Sequence, residues 1–386
     1  MATTVTILGS TGSIGQSALD VVRHSPDLTV RGLAVHSNID GLTDQIAEFR
    51  PEFVAISDDN AAKELSDRGI DVPLRTGPEG VAATAAESVD VVLCAMAGSV
   101  GLDAILAAIE AENRIALANK EPLVMAGSHI MERARAKGVR VLPVDSEHNA
   151  IFQCLEGHST DEVYRIHLTA SGGPFYGRTR DSLRGVSPEE AANHPTWDMG
   201  EKISVDSATL MNKGLEIIEA MHLFDLPADV FEVVIHPQSI VHSMVEFTDG
   251  NILAHYGVTD MRLPIQFALH WPNRVKSAIA RLDLTSMPGI TFARPEVSEF
   301  PCLGLAIEAA RSGGTAPTVL NAANEVAVEA FRNGQLPFLG IADVVGAVLQ
   351  AIPHSEDVSL GSVLDVDATA RRAAEKQIRI TGTKST

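Results

Sequence analysis

Apolar and polar positions over the first 150 residues follow two alternating rhythms. Short β-branched runs (TVTILG, LTVRGLAV, FVAIS, DVVLCAMA, RIALAN and VRVLPV) are separated by stretches such as 13–23 and 101–112, whose apolar residues recur at helical spacing. Strands that alternate with helices pair in parallel, so residues 1–150 are expected to form an α/β, Rossmann-like doubly wound sheet. After Ile151 the rhythm changes. IHLTAS, VFEVVIH, SIVHSMVEF and NILAHYGV read as strands, the last two joined at Thr248-Asp249-Gly250 as a hairpin, with one helical segment over 206–224. An α+β domain with antiparallel strands is expected over 151–272. Residues 273–300, bounded by Pro272 and Pro301 and carrying Pro288, Gly289 and Pro295, read as a connection. Four helical patterns at 303–311, 318–332, 340–351 and 368–376 predict a C-terminal helical domain over 301–386.

A chain of 386 residues with 45% hydrophobic and 21% charged residues is that of an ordinary globular protein with more than one core. The formal net charge of -20 repels a nucleic-acid backbone, which argues against that partner. An anionic ligand must therefore be held by local cations, backbone N–H groups or a metal. Cys94, Cys154 and Cys302 lie far apart with no CxxC spacing, which fits a reducing compartment. The N-terminus carries no leader pattern, and Gly98, Ser99, Gly101 and Asp103 interrupt the apolar tract over 89–111. A soluble, cytoplasmic protein without membrane contact is expected.

Candidate chemistry begins at Gly9-Ser10-Thr11-Gly12-Ser13-Ile14-Gly15, directly after the first strand. Glycines there permit a tight turn and close approach of a pyrophosphate to a helix N-terminus, although an empty glycine turn has the same composition. The second strand ends in His36-Ser37-Asn38, with no acid to hold a ribose hydroxyl, which favours NADP over NAD. Asn119-Lys120-Glu121 follows a strand at the carboxyl edge, where Lys120 and Glu121 are active-site candidates and Asn119 is equally suited to capping the next helix. Asp145-Ser146-Glu147 offers two carboxylates at i, i+2 for Mg²⁺ or Mn²⁺, or simply a helix cap. Glu216 is a possible third ligand, with Asn212 and Lys213 on the same helical face and Ser207 in the first turn; a solvated Lys213–Glu216 pair is the plainer alternative. Ser171-Gly172-Gly173 suits a phosphate or a turn, and residues 194–202, with His194 and Trp197, suit a closing lid or a packed loop. His236 and His242 read as core or loop histidines, not ligands.

Taken in order, GSTGSIG, LANKE, PVDSEHNAIFQ, TASGGPF, HPTWDMGEKISVDSATLMNKGLE and VIHPQSIVHSMVEF resemble the motifs of the 1-deoxy-D-xylulose 5-phosphate reductoisomerase family, over essentially the whole chain. This resemblance implies an NADPH-dependent, Mg²⁺- or Mn²⁺-assisted rearrangement and reduction of that substrate to 2-C-methyl-D-erythritol 4-phosphate, in the non-mevalonate route to isoprenoid precursors, by a homodimer. It implies metal ligands at Asp145, Glu147 and Glu216. Substrate contacts are implied at Lys120, Ser146, Ser171, His194, Ser207, Asn212 and Lys213, with Trp197 and Met199 in a mobile lid. Cofactor contacts are implied at Thr11, Gly12, Ser13, Ile14, Asn38, Asn119, Glu121 and Gly200; Ser37 joins them from the residues alone, because His36, Ser37 and Asn38 can each donate a hydrogen bond to a 2'-phosphate. The chain departs from the family pattern at His36-Ser37, where some members carry Gly-Lys or Gly-Ser, and at Pro122, where some carry Ser.

Two other classes share parts of this pattern. A semialdehyde dehydrogenase begins with a similar glycine turn but needs a nucleophilic cysteine in a polarising site, and all three cysteines stand in apolar runs or beside Pro301. An NADP-binding regulatory protein would need neither three carboxylates nor a phosphate cluster.

Overall fold

Runs of Val, Ile and Leu become the central strands, because a parallel strand covered on both faces must be apolar on both. In the computed structural model, which describes residues 2–197, 199–287 and 289–382, the strands are β1 (Thr3–Leu8), β2 (Leu28–Val35), β3 (Phe53–Ile56), β4 (Leu74–Thr76), β5 (Val91–Cys94), β6 (Arg114–Leu117) and β7 (Val141–Pro143). They form one parallel sheet in the order β4-β3-β2-β1-β5-β6-β7. Every residue of β3 and β5 is buried. Edge strand β4 is too short for the sequence pattern to reveal. The order reverses between β1 and β5, and ligands of doubly wound sheets bind outside the strand ends at such a switch point.

The chain divides into two compact units. The first comprises described residues 2–122, 130–149 and 260–280, and the second comprises 123–129, 150–259 and 281–382.

In the second unit β8 (Val163–Ala170), β9 (Phe231–Ile235), β10 (Val241–Phe247) and β11 (Ile252–Tyr256) form a sheet in the order β11-β10-β8-β9. β10 is antiparallel to β8 and β11, and the expected hairpin turns at Gly250 (φ 85°). β8 and β9 are parallel, which corrects the expectation of antiparallel strands: helices lie between them in the chain and return it to the same end. Among the described residues of 273–300 there is no helix, only one bridge from Ala293 to Ile235. Four helices follow, Pro301–Ser312, Ala316–Arg332, Gly340–Ala351 and Leu360–Gly382, the last longer than its sequence pattern. Phe331, Val344 and Ala374 lie in the same buried core as Leu215, Ile217 and Leu303. Asp198, in the expected lid, and Pro288, in the expected connection, lie outside the described residues.

Candidate functional site

The first unit presents its candidate groups on the loops that leave β1, β2, β6 and β7. Gly9 leaves β1 at φ 84°, a conformation that costs a side-chain-bearing residue about 1–2 kcal/mol. The helix Ser13–Arg23 begins at exposed Gly12, with no side-chain cap and no acid in its first turn, so the N–H groups around Ser13 and Ile14 face an anion without competition. Gly15 lets the helix sit against the turn, since a Cβ there would lie 2.3 Å from the Gly9 carbonyl oxygen. These residues fit a dinucleotide pyrophosphate. Thr11 and Asn38 come together beside Gly41, where a Cβ would lie 3.0 Å from Thr11 Cγ2 and from Asn38 Nδ2. His36, Ser37 and Asn38 are all exposed.

Past β6, Asn119 is buried. Its Nδ2 reaches the Gly98 carbonyl at 3.4 Å, and among the described residues its Oδ1 has no hydrogen-bond partner. It does not cap the next helix: Lys120 holds the N-cap position, with no side-chain cap bond. The Lys120 ammonium, 3% exposed, lies 2.6 Å from Asp145 Oδ2. Asp145 Oδ1 accepts the Glu147 N–H at 3.3 Å, so it starts the helix Ser146–Leu155 and pairs with a buried cation at once. The Ser146 hydroxyl donates to the Glu147 carboxylate.

In the second unit Ser171 directly follows β8 and leads into Gly172 (φ 89°) and Gly173 (φ 69°). Ser171 Oγ accepts the Gly173 N–H at 3.1 Å and lies 2.9 Å from His194 Nε2. His194 Nδ1 receives the backbone N–H groups of Thr196 (3.2 Å) and Trp197 (3.0 Å). A nitrogen receiving two backbone donors carries no hydrogen, so the neutral ring has its hydrogen on Nε2 and donates it to Ser171. Burial, reinforced by the nearby Lys213 charge, pushes the His194 imidazole down to about 4, so the ring is neutral at pH 7. With both lone pairs of Ser171 Oγ occupied, its own hydrogen is left to donate outward, as a phosphate oxygen requires.

The expected helix over 206–224 is two helices, Glu201–Ala208 and Met211–Phe224, broken at Leu210 (φ 59°). Ser207 therefore sits in the last turn of the first helix, not in a first turn, and the helix N-terminus behind its anion-binding argument belongs to Met211–Lys213. What holds Ser207 near Ser171 is packing: a Cβ on Gly173 would lie 2.6 Å from the Ser207 carbonyl oxygen. Gly200 is the exposed N-cap of Glu201–Ala208. On the second helix Asn212, Lys213 and Glu216 are together, and Glu216 is only 1% exposed. Lys213 Nζ lies 2.5 Å from Glu216 Oε2, and Asn212 Nδ2 donates to Oε1. The pair is real, but its face is not solvated.

Sequence reasoning did not single out Asp206 as a functional residue. It is buried, paired with Lys202 (2.8 Å) and bonded by Asn324 (2.8 Å) from the helix Ala316–Arg332. It also passed over Glu219, fully buried one turn beyond Glu216, whose i, i+3 spacing was the available signal.

Trp197 and Met199 are half-buried, and the Trp197 ring centroid lies 6.1 Å from that of His242. His236 is structural: Nδ1 bonds the Thr291 carbonyl at 3.0 Å and Nε2 accepts from Ile240 and Val241. No thiol is activated, because burial raises Cys94 and Cys302 to about 12 and Cys154 to about 11.

Burial holds three histidines of this unit, His194, His222 and His242, at about 4 against an ordinary value of 6.5. Between these values the unfolded chain binds protons that the folded chain does not. Stability from this source is complete above pH 6.5 and falls as pH drops through 6.5 toward 4. The urea midpoint is expected to be lower at pH 5 than at pH 7; an equal or higher midpoint at pH 5 would contradict the burial of these rings as neutral groups.

A parallel sheet with an uncapped glycine turn at its switch point, a buried Lys–carboxylate pair and a separate cluster of anion donors defines a dinucleotide-dependent oxidoreductase. Three family domain descriptions match the chain: 1-deoxy-D-xylulose 5-phosphate reductoisomerase at residues 5–127, and C-terminal domains of the same enzyme at 141–224 and 256–373. The 1-deoxy-D-xylulose 5-phosphate reductoisomerases of Dechloromonas aromatica and Paraburkholderia phymatum are 49% and 50% identical to it, across 97% of this chain and 97% and 95% of theirs. Among solved structures, the enzyme from Zymomonas mobilis in complex with NADPH aligns at TM-score 0.91 and 42% identity, covering 98% of this chain and 99% of that one. A DOX-P reductoisomerase in complex with NADPH, fosmidomycin and magnesium aligns at TM-score 0.92 and 42% identity, covering 98% of each chain. The chain belongs to the 1-deoxy-D-xylulose 5-phosphate reductoisomerase family. Among the described residues no helix is long and apolar enough to cross a membrane.

Proposed function

We propose that this chain converts 1-deoxy-D-xylulose 5-phosphate to 2-C-methyl-D-erythritol 4-phosphate with NADPH and Mg²⁺ or Mn²⁺, as a cytoplasmic homodimer on the route to isoprenoid precursors. The observation that carries this reading is the neutral His194 donating to Ser171, beside the Lys213 charge, in a chain of this family. Residues 1–150 take the NADPH role, 151–272 the catalytic role with a lid at 194–202, 273–300 connect, and 301–386 form the helical domain.

Asp145, Glu147 and Glu216 are the residues that would hold the metal. Their donors are all oxygens, which suit a hard divalent cation, and two of the three carboxylates already carry an ammonium partner, as anions in low-dielectric surroundings must. When bound, the cation supplies Lewis-acid polarisation of the substrate carbonyl and NADPH supplies the reducing equivalents. Ser171, Ser207, Asn212 and Lys213, with His194 orienting Ser171, bind the phosphate. Lys120 and Ser146 orient the carbon skeleton beside the carboxylates. Thr11, Gly12, Ser13, Ile14, Ser37, Asn38, Asn119, Glu121 and Gly200 contact the cofactor, with the unpartnered Asn119 Oδ1 available as an acceptor. Trp197 and Met199 cover the substrate and exclude water. NADPH oxidation driven by 1-deoxy-D-xylulose 5-phosphate, present with Mg²⁺ or Mn²⁺ and absent with chelator, tests the whole reading; no oxidation under either condition would refute it.

Trp197→Ala is expected to raise the KM for substrate and leave NADPH affinity unchanged. In a Trp271→Phe background, which leaves Trp197 as the single tryptophan, substrate should change the emission. Full activity of Trp197→Ala together with unchanged emission would remove Trp197 from the lid.

A further inference from the structure

The two helices that carry Ser207, Asn212 and Lys213 meet at a break built on Asp206. Its backbone carbonyl accepts a hydrogen bond from the Thr209 hydroxyl at 3.1 Å, and the same hydroxyl oxygen accepts the Met211 N–H at 3.3 Å, where the second helix starts. The Leu210 N–H bonds the Ser207 carbonyl at 3.1 Å and closes the turn at φ 59°. Ser207 on one side and Met211–Lys213 on the other are therefore placed by wherever Asp206 is fixed.

Asp206 is fixed from outside its own helix. It is only 1% exposed, and its two oxygens go to different partners: Oδ2 lies 2.8 Å from the Lys202 ammonium one turn earlier, and Oδ1 accepts the Asn324 amide at 2.8 Å. Lys202 belongs to the same helix and ties it only to itself. Asn324 comes from Ala316–Arg332, where it is fully buried, and Arg332 of that helix pairs with Glu201. The helix Glu201–Ala208 is thus fastened to Ala316–Arg332 near both ends. Only the nitrogen of an Asn side chain can face a carboxylate, and among the described residues the Asn324 Oδ1 has no hydrogen-bond partner. A buried amide whose oxygen is unmet is a cost to the fold, which points to the bond to Asp206 as what this residue supplies.

We propose that Asn324 is a positioning residue for the phosphate end of the substrate: by holding Asp206 it sets where Ser207 and the start of Met211–Phe224 stand. The inference rests on the phosphate reading above and adds to it a residue 118 positions further along the chain that acts through another. Phosphate is the end of the substrate that does not react, so a displaced cluster weakens substrate binding more than it slows the chemistry.

Steady-state kinetics of the full chain with NADPH, Mg²⁺ and 1-deoxy-D-xylulose 5-phosphate, well below each variant's melting transition, test this. Asn324→Leu keeps size and removes the donor, and should raise KM for the sugar phosphate about tenfold with kcat within about 2-fold of wild type. Asn324→Asp sets two carboxylates against each other and should do at least as much. Adding Asp206→Asn to it restores the bond in reverse: the new amide nitrogen stands in place of Oδ1 and donates to position 324, while its oxygen stands in place of Oδ2 beside Lys202. KM of this double variant should return to within about 3-fold of wild type. A merely structural role would lower the amount of active enzyme, and so the apparent kcat, and leave KM alone. Wild-type KM in Asn324→Leu, or a double variant no better than Asn324→Asp, would overturn the inference. Should Asn324→Leu fail to fold, the double variant decides alone: a KM near wild type supports the inference and a rise of about tenfold overturns it. If wild type itself does not oxidise NADPH with this substrate, the proposed function fails and the inference falls with it.

Discussion

Replacing Glu216 by Gln lowers turnover by about 10²- to 10³-fold, the usual cost of removing one group that stabilises developing negative charge. The substitution keeps shape and helix propensity, so the fold should persist. It is not free of structural cost, because Lys213 is buried and loses its charged partner at 2.5 Å. A loss of roughly 1–3 kcal/mol of stability is expected, and activity should be measured well below the melting transition. Metal titration should show weakened Mg²⁺ or Mn²⁺ dependence, while NADPH binding, built on the turn at Gly12, should match wild type. A folded variant with unchanged turnover and unchanged metal dependence would exclude Glu216 as a ligand.

The second large effect separates two glycines of the first turn. At Gly15 an added Cβ meets only fixed backbone: Gly9 O at 2.3 Å, Ser10 Cα at 2.5 Å and Ser10 C at 2.6 Å. Gly15→Ala should therefore lose about 1–3 kcal/mol of stability and most NADPH affinity, as the helix Ser13–Arg23 shifts away from its turn. Gly12 is exposed at φ -75°, and a Cβ there touches nothing nearer than Gly9 O at 3.4 Å. Gly12→Ala should keep its stability within about 0.5 kcal/mol and still bind NADPH roughly tenfold more weakly, because the methyl occupies the approach of the pyrophosphate. Wild-type NADPH affinity in Gly12→Ala would mean that the pyrophosphate does not approach this turn.

Both predictions are partly legible in the sequence. The Gly9–Gly15 turn could be placed after β1 because it is local: an apolar run, glycines and a helical period follow one another within some twenty residues. The absence of an acid at 36–38 was legible for the same reason. Residues three or four apart on one helix, such as Asn212, Lys213 and Glu216, also share a face by geometry alone.

What the sequence by itself determined is thus periodicity and order: six of the seven strands of the parallel sheet, the hairpin at Gly250, and which residue types stand near the carboxyl ends of the strands. Tertiary structure decided which of those residues meet and in what chemical state. Leu210 takes φ 59° and breaks one expected helix into two, a conformation that costs leucine energy and that no local propensity announces. Lys120 and Asp145 are 25 residues apart, Ser171 and His194 23, and His36 and Ser57 21. Each pair is made by separate elements arriving at one place. The neutrality of His194 and the burial of Glu216 follow from that arrival, because desolvation depends on everything packed around a group and hardly on its neighbours in the chain.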